Sequence, residues 1–169
     1  MEATRRRQFL LGGTAFAAIG ASVSAATLLG PAQDGSFEVT HSDAEWRRRL
    51  ATPQYVVLRK HQTEWAGSSP LDAEKRTGTY FCAGCDLPLF ASLSKYDSRT
   101  GWPSFWQPLE GAVATRTEWA FFILPQTEVH CRRCGGHLGH VFNDGPKPTG
   151  LRYCMNGVAL IFKPGAALT

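Results

Sequence analysis

Two C-x-x-C units constrain this 169-residue chain more than any other feature. Cys82 and Cys85 stand in "CAGC" and Cys131 and Cys134 in "CRRC", with 45 residues between the pairs. In each unit, two intervening residues let the chain wrap until both sulfurs reach one tetrahedral ion. Gly84, Gly135 and Gly136 are expected to supply the positive φ values of such knuckles. Four thiolates select Zn2+, with iron as the competitor. The metal reading predicts one structural zinc ion per chain, held by Cys82, Cys85, Cys131 and Cys134. Spacing leaves two alternatives open: a pair of disulfides, favoured in an oxidising compartment, and a thioredoxin-like redox pair. Neither unit opens a helix after a strand, as the second alternative requires.

Around the knuckles the chain reads as strands and turns. "GTYFCAGCDLPLF", "AVATRTEWAFFILP", "EVHCRRCGGHLGHVFND" and "LRYCMNGVALIFKP" are short runs, rich in aromatic and β-branched residues and divided by Gly, Pro, Asn and Asp. Upstream, "SDAEWRRRL" carries a Ser42 cap with Glu45 three residues on, which predicts a short helix with a capping box. "TPQYVVLRKHQTE" predicts a second helix, with Thr52 as cap and Pro53 in its first turn. The expected fold is therefore mainly β and antiparallel, with short N-terminal helices leading in.

The first 25 residues read as an address. Arg5–Arg7 precede an apolar run from Phe9 to about Ala21, and small residues near Ser24–Ala26 offer a cleavage site. The run is short for a bilayer span. Adjacent arginines before "QFL" are similar to the twin-arginine signal, the alternatives being an ordinary Sec signal or an uncleaved anchor. The similarity implies recognition by the twin-arginine export machinery and a periplasmic or otherwise exported protein. The resulting organisation is a signal at 1–25, a linker at 26–41, one domain at 42–164 and a tail at 165–169. Formal charge is +4 for the whole chain. Without residues 1–25 it falls to +2, from 15 basic and 13 acidic residues. That balance offers no basic face for nucleic acid.

With four cysteines assigned to metal, Cys154 in "TGLRYCMNG" stands alone. A lone cysteine is often a small buried hydrophobe. Here Arg152 and Asn156 fall on the same strand face, and a guanidinium near a thiol favours the thiolate. His137 and His140, in "HLGH", are candidate acids; their alternative is as loop residues or extra metal ligands. "GWPSFW" places Trp102, Phe105 and Trp106 in a turn stiffened by Gly and Pro, either as core or as the wall of an apolar pocket. Spacing yields a nucleophilic thiol, an acid, a positive partner and an aromatic wall.

Together, "CAGCDLPLF", "YDSRTGWPSFWQP", "CRRCGGHLGHVFNDGP" and "LRYCMNG" closely resemble methionine-R-sulfoxide reductase, the B-type enzyme of methionine sulfoxide repair, from about Ser42 to Lys163. The resemblance implies two antiparallel sheets and a four-Cys zinc site away from the catalytic centre. It implies Cys154 as nucleophile, and His140 with His137 as donors to the sulfoxide oxygen. Trp102 would face the substrate methyl group, Phe142 and Asn156 would line the pocket, and Arg152 with Asp144 would form a supporting ion pair. The implied partners are oxidised proteins carrying methionine-R-sulfoxide and a thiol or thioredoxin-like reductant.

Two departures stand out. Many relatives carry a resolving cysteine where this chain has Thr100, so a sulfenic acid on Cys154 must be reduced by an outside thiol. Relatives often have Ser-Ala after the Asn where this chain reads "NGV". Two competing functions share the metal site: a non-catalytic zinc-ribbon-like module binding a protein partner through the Trp102–Trp106 loop, and a rubredoxin-like iron carrier. The first has no use for a reactive thiol; the second predicts a red protein and leaves the histidines without a role.

Overall fold

In the computed structural model, the described residues are 37–120 and 124–169. The segment read as a signal, and most of the one read as a linker, fall outside them.

The chain enters through two helices. In α1 (Asp43–Arg49) the Ser42 hydroxyl accepts the Glu45 N–H while the Glu45 carboxylate accepts the Ser42 N–H at 2.8 Å, the reciprocal box predicted. In α2 (Thr52–Lys60) the cap is Ala51 rather than Thr52. The Gln54 side chain reaches back to accept the Ala51 N–H at 3.1 Å, so Thr52 already lies inside the helix with Pro53. α2 buries Tyr55, Val57 and Leu58.

Nine strands follow among the described residues: β1 (Gly78–Cys82), β2 (Pro88–Ala91), β3 (Lys95–Tyr96), β4 (Ser104–Phe105), β5 (Val113–Ala120), β6 (Leu124–Cys131), β7 (His137–Phe142), β8 (Arg152–Met155) and β9 (Leu160–Pro164). They form a three-stranded sheet, β2-β1-β9, and a six-stranded sheet, β3-β4-β8-β7-β6-β5, with every pairing antiparallel. The mainly β expectation holds. Between them lies an apolar core in which Phe105 stacks on Phe90 at 4.4 Å and meets Tyr80 edge-on at 4.9 Å, with Leu138 and Met155 fully buried beside them. Phe105 is thus core, whereas Trp106 borders a separate apolar groove with Leu93, Pro108 and Leu168.

After Met155 the chain does not run straight into β9. Gly157–Ala159 make a single 3-10 turn, and the Ser69 side chain occupies the space beside Gly157 that a Cβ would fill. At the other end, Phe37 packs edge-on to His130 and the Val39 N–H bonds to the Arg133 carbonyl at 3.0 Å. The last residues of the segment read as a linker therefore lie against the second knuckle.

Candidate active site and metal centre

The first knuckle leaves the end of β1 and the second forms the β6–β7 turn, so the two sheets bring the cysteine pairs together. Cys82 and Cys134 Sγ are 3.7 Å apart, Cys85 and Cys131 Sγ 3.5 Å, and all four sulfurs lie within 4.8 Å of one another. A tetrahedral ion with metal–sulfur bonds of about 2.3 Å sets its sulfurs about 3.8 Å apart. The spacing therefore fits one thiolate-bound ion, and it is far longer than a disulfide bond of about 2.05 Å. Contact with the Cys131 and Cys134 sulfurs, with burial added, pushes the Cys82 thiol well up. Four thiolates in that space accordingly need a central cation.

The glycine expectation needs correction. Gly135 has positive φ (67°), but Gly84 and Gly136 do not, and in the first knuckle the left-handed residue is Asp86 (φ 58°). An Asp side chain tolerates that conformation through local hydrogen bonding. Gly136 serves another end: a Cβ there would crowd Leu58, whose side chain seats α2 on the knuckle.

Cys154 lies in the middle of β8, directly opposite His140 on β7 and Ser104 on β4. Directly opposed residues of an antiparallel pair share a face, so the ladder itself sets thiol and imidazole side by side. Gly139, next to His140, allows the two strands to approach; a Cβ there would overlap the Cys154 carbonyl. A cavity of about 130 Å3 opens at this point, lined by Thr63, Trp102, Gly139, His140, Phe142, Cys154 and Asn156. Asn156 is buried and donates through Nδ2 to the Leu138 carbonyl at 3.1 Å. Arg152 makes two bonds to Asp144, at 2.9 and 2.8 Å, and its guanidinium lies 4.4 Å from the Phe142 ring centroid. Thr100 Oγ1 stands 3.9 Å from Cys154 Sγ and joins a hydroxyl chain, 2.8 Å to Ser98 and 2.7 Å from Ser98 to Ser104.

His140 and His137 differ in setting. His140 faces the cavity; burial, then the neighbouring His137, pushes its pKa down. Glu118 approaches its Nε2 at 3.7 Å. His137 is 1% exposed, packs edge-to-face behind His140 at 5.4 Å and bonds through Nδ1 to Glu128 Oε1 at 2.6 Å. Glu128 has no exposed surface and also meets Arg116 and His61. Burial pushes the Glu128 carboxyl up, but the bonds from His137 and His61 and the Arg116 charge outweigh it and hold it well below the usual carboxylate range. His61, Glu128 and His137 also cluster ligand atoms. Arg116 already supplies that carboxylate with its positive charge, so the four cysteines are the better metal set.

Trp102, His140, Phe142 and Asn156 line the cavity with Cys154, His137 packs on His140 and Asp144 bonds Arg152, whereas Phe105 and Trp106 do not line it. Sequence reading passed over Thr63, Glu64, Glu118 and Glu128. Glu128 carried a weak signal, as an acidic residue in the otherwise strand-like "TEVHC"; the other three carried none.

A model of the SelR domain matches residues 50–164. The chain is 47% identical over 128 residues to the peptide methionine sulfoxide reductase MsrB of Leptospira interrogans, covering 76% of this chain and 98% of the relative. It is 52% identical over 120 residues to the Pseudomonas putida protein of the same name, covering 71% and 90%. It is 47% identical over 119 residues to the chloroplastic peptide methionine sulfoxide reductase B1 of Arabidopsis thaliana, covering 70% and 59%.

Proposed function

The chain belongs to the SelR domain family, the family of MsrB peptide methionine sulfoxide reductases, and we propose that it reduces methionine-R-sulfoxide in oxidised proteins to methionine. The observation that carries the reading is the cross-strand pair of Cys154 and His140 at the mouth of a small cavity walled by Trp102 and Phe142. The zinc-ribbon-like binding module is not favoured, because it leaves this pair without a purpose.

A sulfoxide sulfur becomes electrophilic when its oxygen is protonated or strongly hydrogen-bonded. The reaction therefore needs a soft nucleophile at sulfur and an acid at oxygen. Cys154, as thiolate, attacks the sulfur while His140 passes a proton to the oxygen, with His137 behind it held by Glu128. The substrate's S–O bond breaks, an S–O bond forms on Cys154, and methionine leaves. The cysteine becomes a sulfenic acid. Two equivalents of an external thiol then restore it, releasing water and the thiol's disulfide. Trp102 and Phe142 would hold the methyl group, Asn156 would line the opposite side, and the Arg152–Asp144 pair would steady the strand end beside the nucleophile. Fixing methyl and oxygen separately gives preference for R over S.

Zn2+ is the ion that suits four thiolates at this spacing, and it would act as a structural clamp rather than in the chemistry. The twin-arginine-like segment supports export of the folded protein to the periplasm or beyond, where the reductant is a thiol or thioredoxin-like protein of that compartment. Lysine at both Arg6 and Arg7 should hold the precursor in the cytoplasm; normal export of that variant removes the export reading.

A single-turnover test of the chemistry follows. With peptide methionine-R-sulfoxide and no added thiol, Cys154 should carry one sulfenic acid, trapped by a dimedone-type reagent, while the four metal cysteines stay unmodified. A disulfide between Cys154 and any of those four would contradict the scheme.

A further inference from the structure

The loop after α2 contributes Thr63 to the cavity, but its neighbour Glu64 touches more of the site without lining it. The Glu64 N–H donates to Asn156 Oδ1 at 2.9 Å. Its carbonyl oxygen accepts the Trp102 indole N–H at 3.2 Å. Its carboxylate accepts the N–H of Gly157 and, at 3.1 Å, that of Val158. One residue thus joins two walls of the cavity that come from segments 38 and 92 positions away in the chain.

We propose that Glu64 is a positioning residue that sets the separation of Trp102 and Asn156, and through them the discrimination between the two sulfoxide diastereomers. Asn156 is strung between the Glu64 N–H and the Leu138 carbonyl, so its amide has one orientation. Trp102 is held at its indole by Glu64 and at its base by the Gly67 N–H, which bonds to the Gly101 carbonyl at 2.7 Å. The carboxylate fixes the 3-10 turn that follows Asn156, and the absent side chain at Gly157 admits Ser69 beneath it. Burial pushes the Glu64 carboxyl up despite its two backbone donors. A partly desolvated carboxylate is costly unless its hydrogen bonds have work to do. A glutamine here retains the shape but offers one acceptor atom in place of two.

The proposal rests on the reading given above; turnover by the unaltered protein decides that reading, and the comparison with variants decides this one. Full-length protein and Glu64→Gln are assayed with dithiothreitol on a short peptide carrying each diastereomer. Loss of one partly buried charged hydrogen bond corresponds to about tenfold. KM for the R peptide should rise, and the R-over-S ratio of kcat/KM should fall, by about that factor, with kcat for R and the alkylation rate of Cys154 little changed. Should Glu64→Gln fail to fold, Glu64→Asp keeps the charge, withdraws it by one methylene and has the same readouts. A folded variant with unchanged KM and unchanged R-over-S ratio overturns the proposal. Loss of kcat alone overturns it as well.

Discussion

His140 and Cys154 are cross-strand partners in the β7–β8 ladder, and two residues along the same ladder Phe142 stands opposite Arg152. With a side-chain period of two, the four share one face. The thiol, the imidazole proposed as its proton donor, an apolar wall and the neighbouring guanidinium are therefore placed by a single register. A one-residue slip would send all four to the other side of the sheet.

The position of His140 fixes a pH dependence. Burial and then His137 lower its pKa, against the opposing pull of Glu118 and Glu128. In the proposed role of proton donor His140 must be charged, so the single-turnover rate should fall as pH rises, with a midpoint on the acid side of an ordinary histidine. His140→Asn should remove this limb and slow turnover by about 10²- to 10⁴-fold, the range of general acid catalysis. A limb that survives the substitution would assign the proton to another group.

Thr100 occupies the place from which a second thiol could reach Cys154, its hydroxyl being 3.9 Å from the sulfur. Thr100→Cys should convert the persistent sulfenic acid into an intramolecular disulfide after one turnover, with release of water. Mass analysis after digestion would detect the cross-linked peptides. A stable sulfenic acid in that variant would show that the loop cannot bring the introduced thiol into line.

Glu128 and His137 are buried and bonded to each other, and the partly exposed His61 and Arg116 close over the carboxylate. Glu128→Gln should destabilise the protein by about 1–3 kcal/mol, the usual cost of taking the charged acceptor from a buried donor, here His137, measured by denaturant unfolding. The carboxyl pKa is depressed in the folded state, so the stability it confers is present above its unfolded pKa and lost as the pH falls. The variant should therefore lose less stability on acidification than the parent. Parallel acid profiles would contradict this.

The four-cysteine cluster joins the end of β1 to the β6–β7 turn. Cys131→Ser, or chelation of the ion, should lower Tm by on the order of 10 °C, and one zinc per chain should be found in the untreated protein. Cys154→Ser should leave both metal content and Tm unchanged.

Much of this site was legible because its chemistry is local in the chain. The C-x-x-C pairs and the i, i+2 spacing around Cys154 each announce a geometry that local structure enforces. The Ser42 capping box was legible for the same reason. What escaped depends on tertiary contacts. Thr52 looked like a cap, yet Gln54 serves Ala51. Gly84 looked like the left-handed residue of its knuckle, yet Asp86 takes that role, and Gly136 is small so that Leu58 can approach. Glu64 is separated from Trp102 and Asn156 by dozens of residues, and nothing in "QTEWAG" marks it.

The most direct test of the central claim is turnover of the R and S diastereomers of a methionine sulfoxide peptide by the purified protein with dithiothreitol, beside Cys154→Ser. Reduction of the R form alone, abolished in the variant, is the predicted result. Equal turnover of both forms, or activity that survives loss of the Cys154 thiol, would contradict the assignment of this cross-strand site.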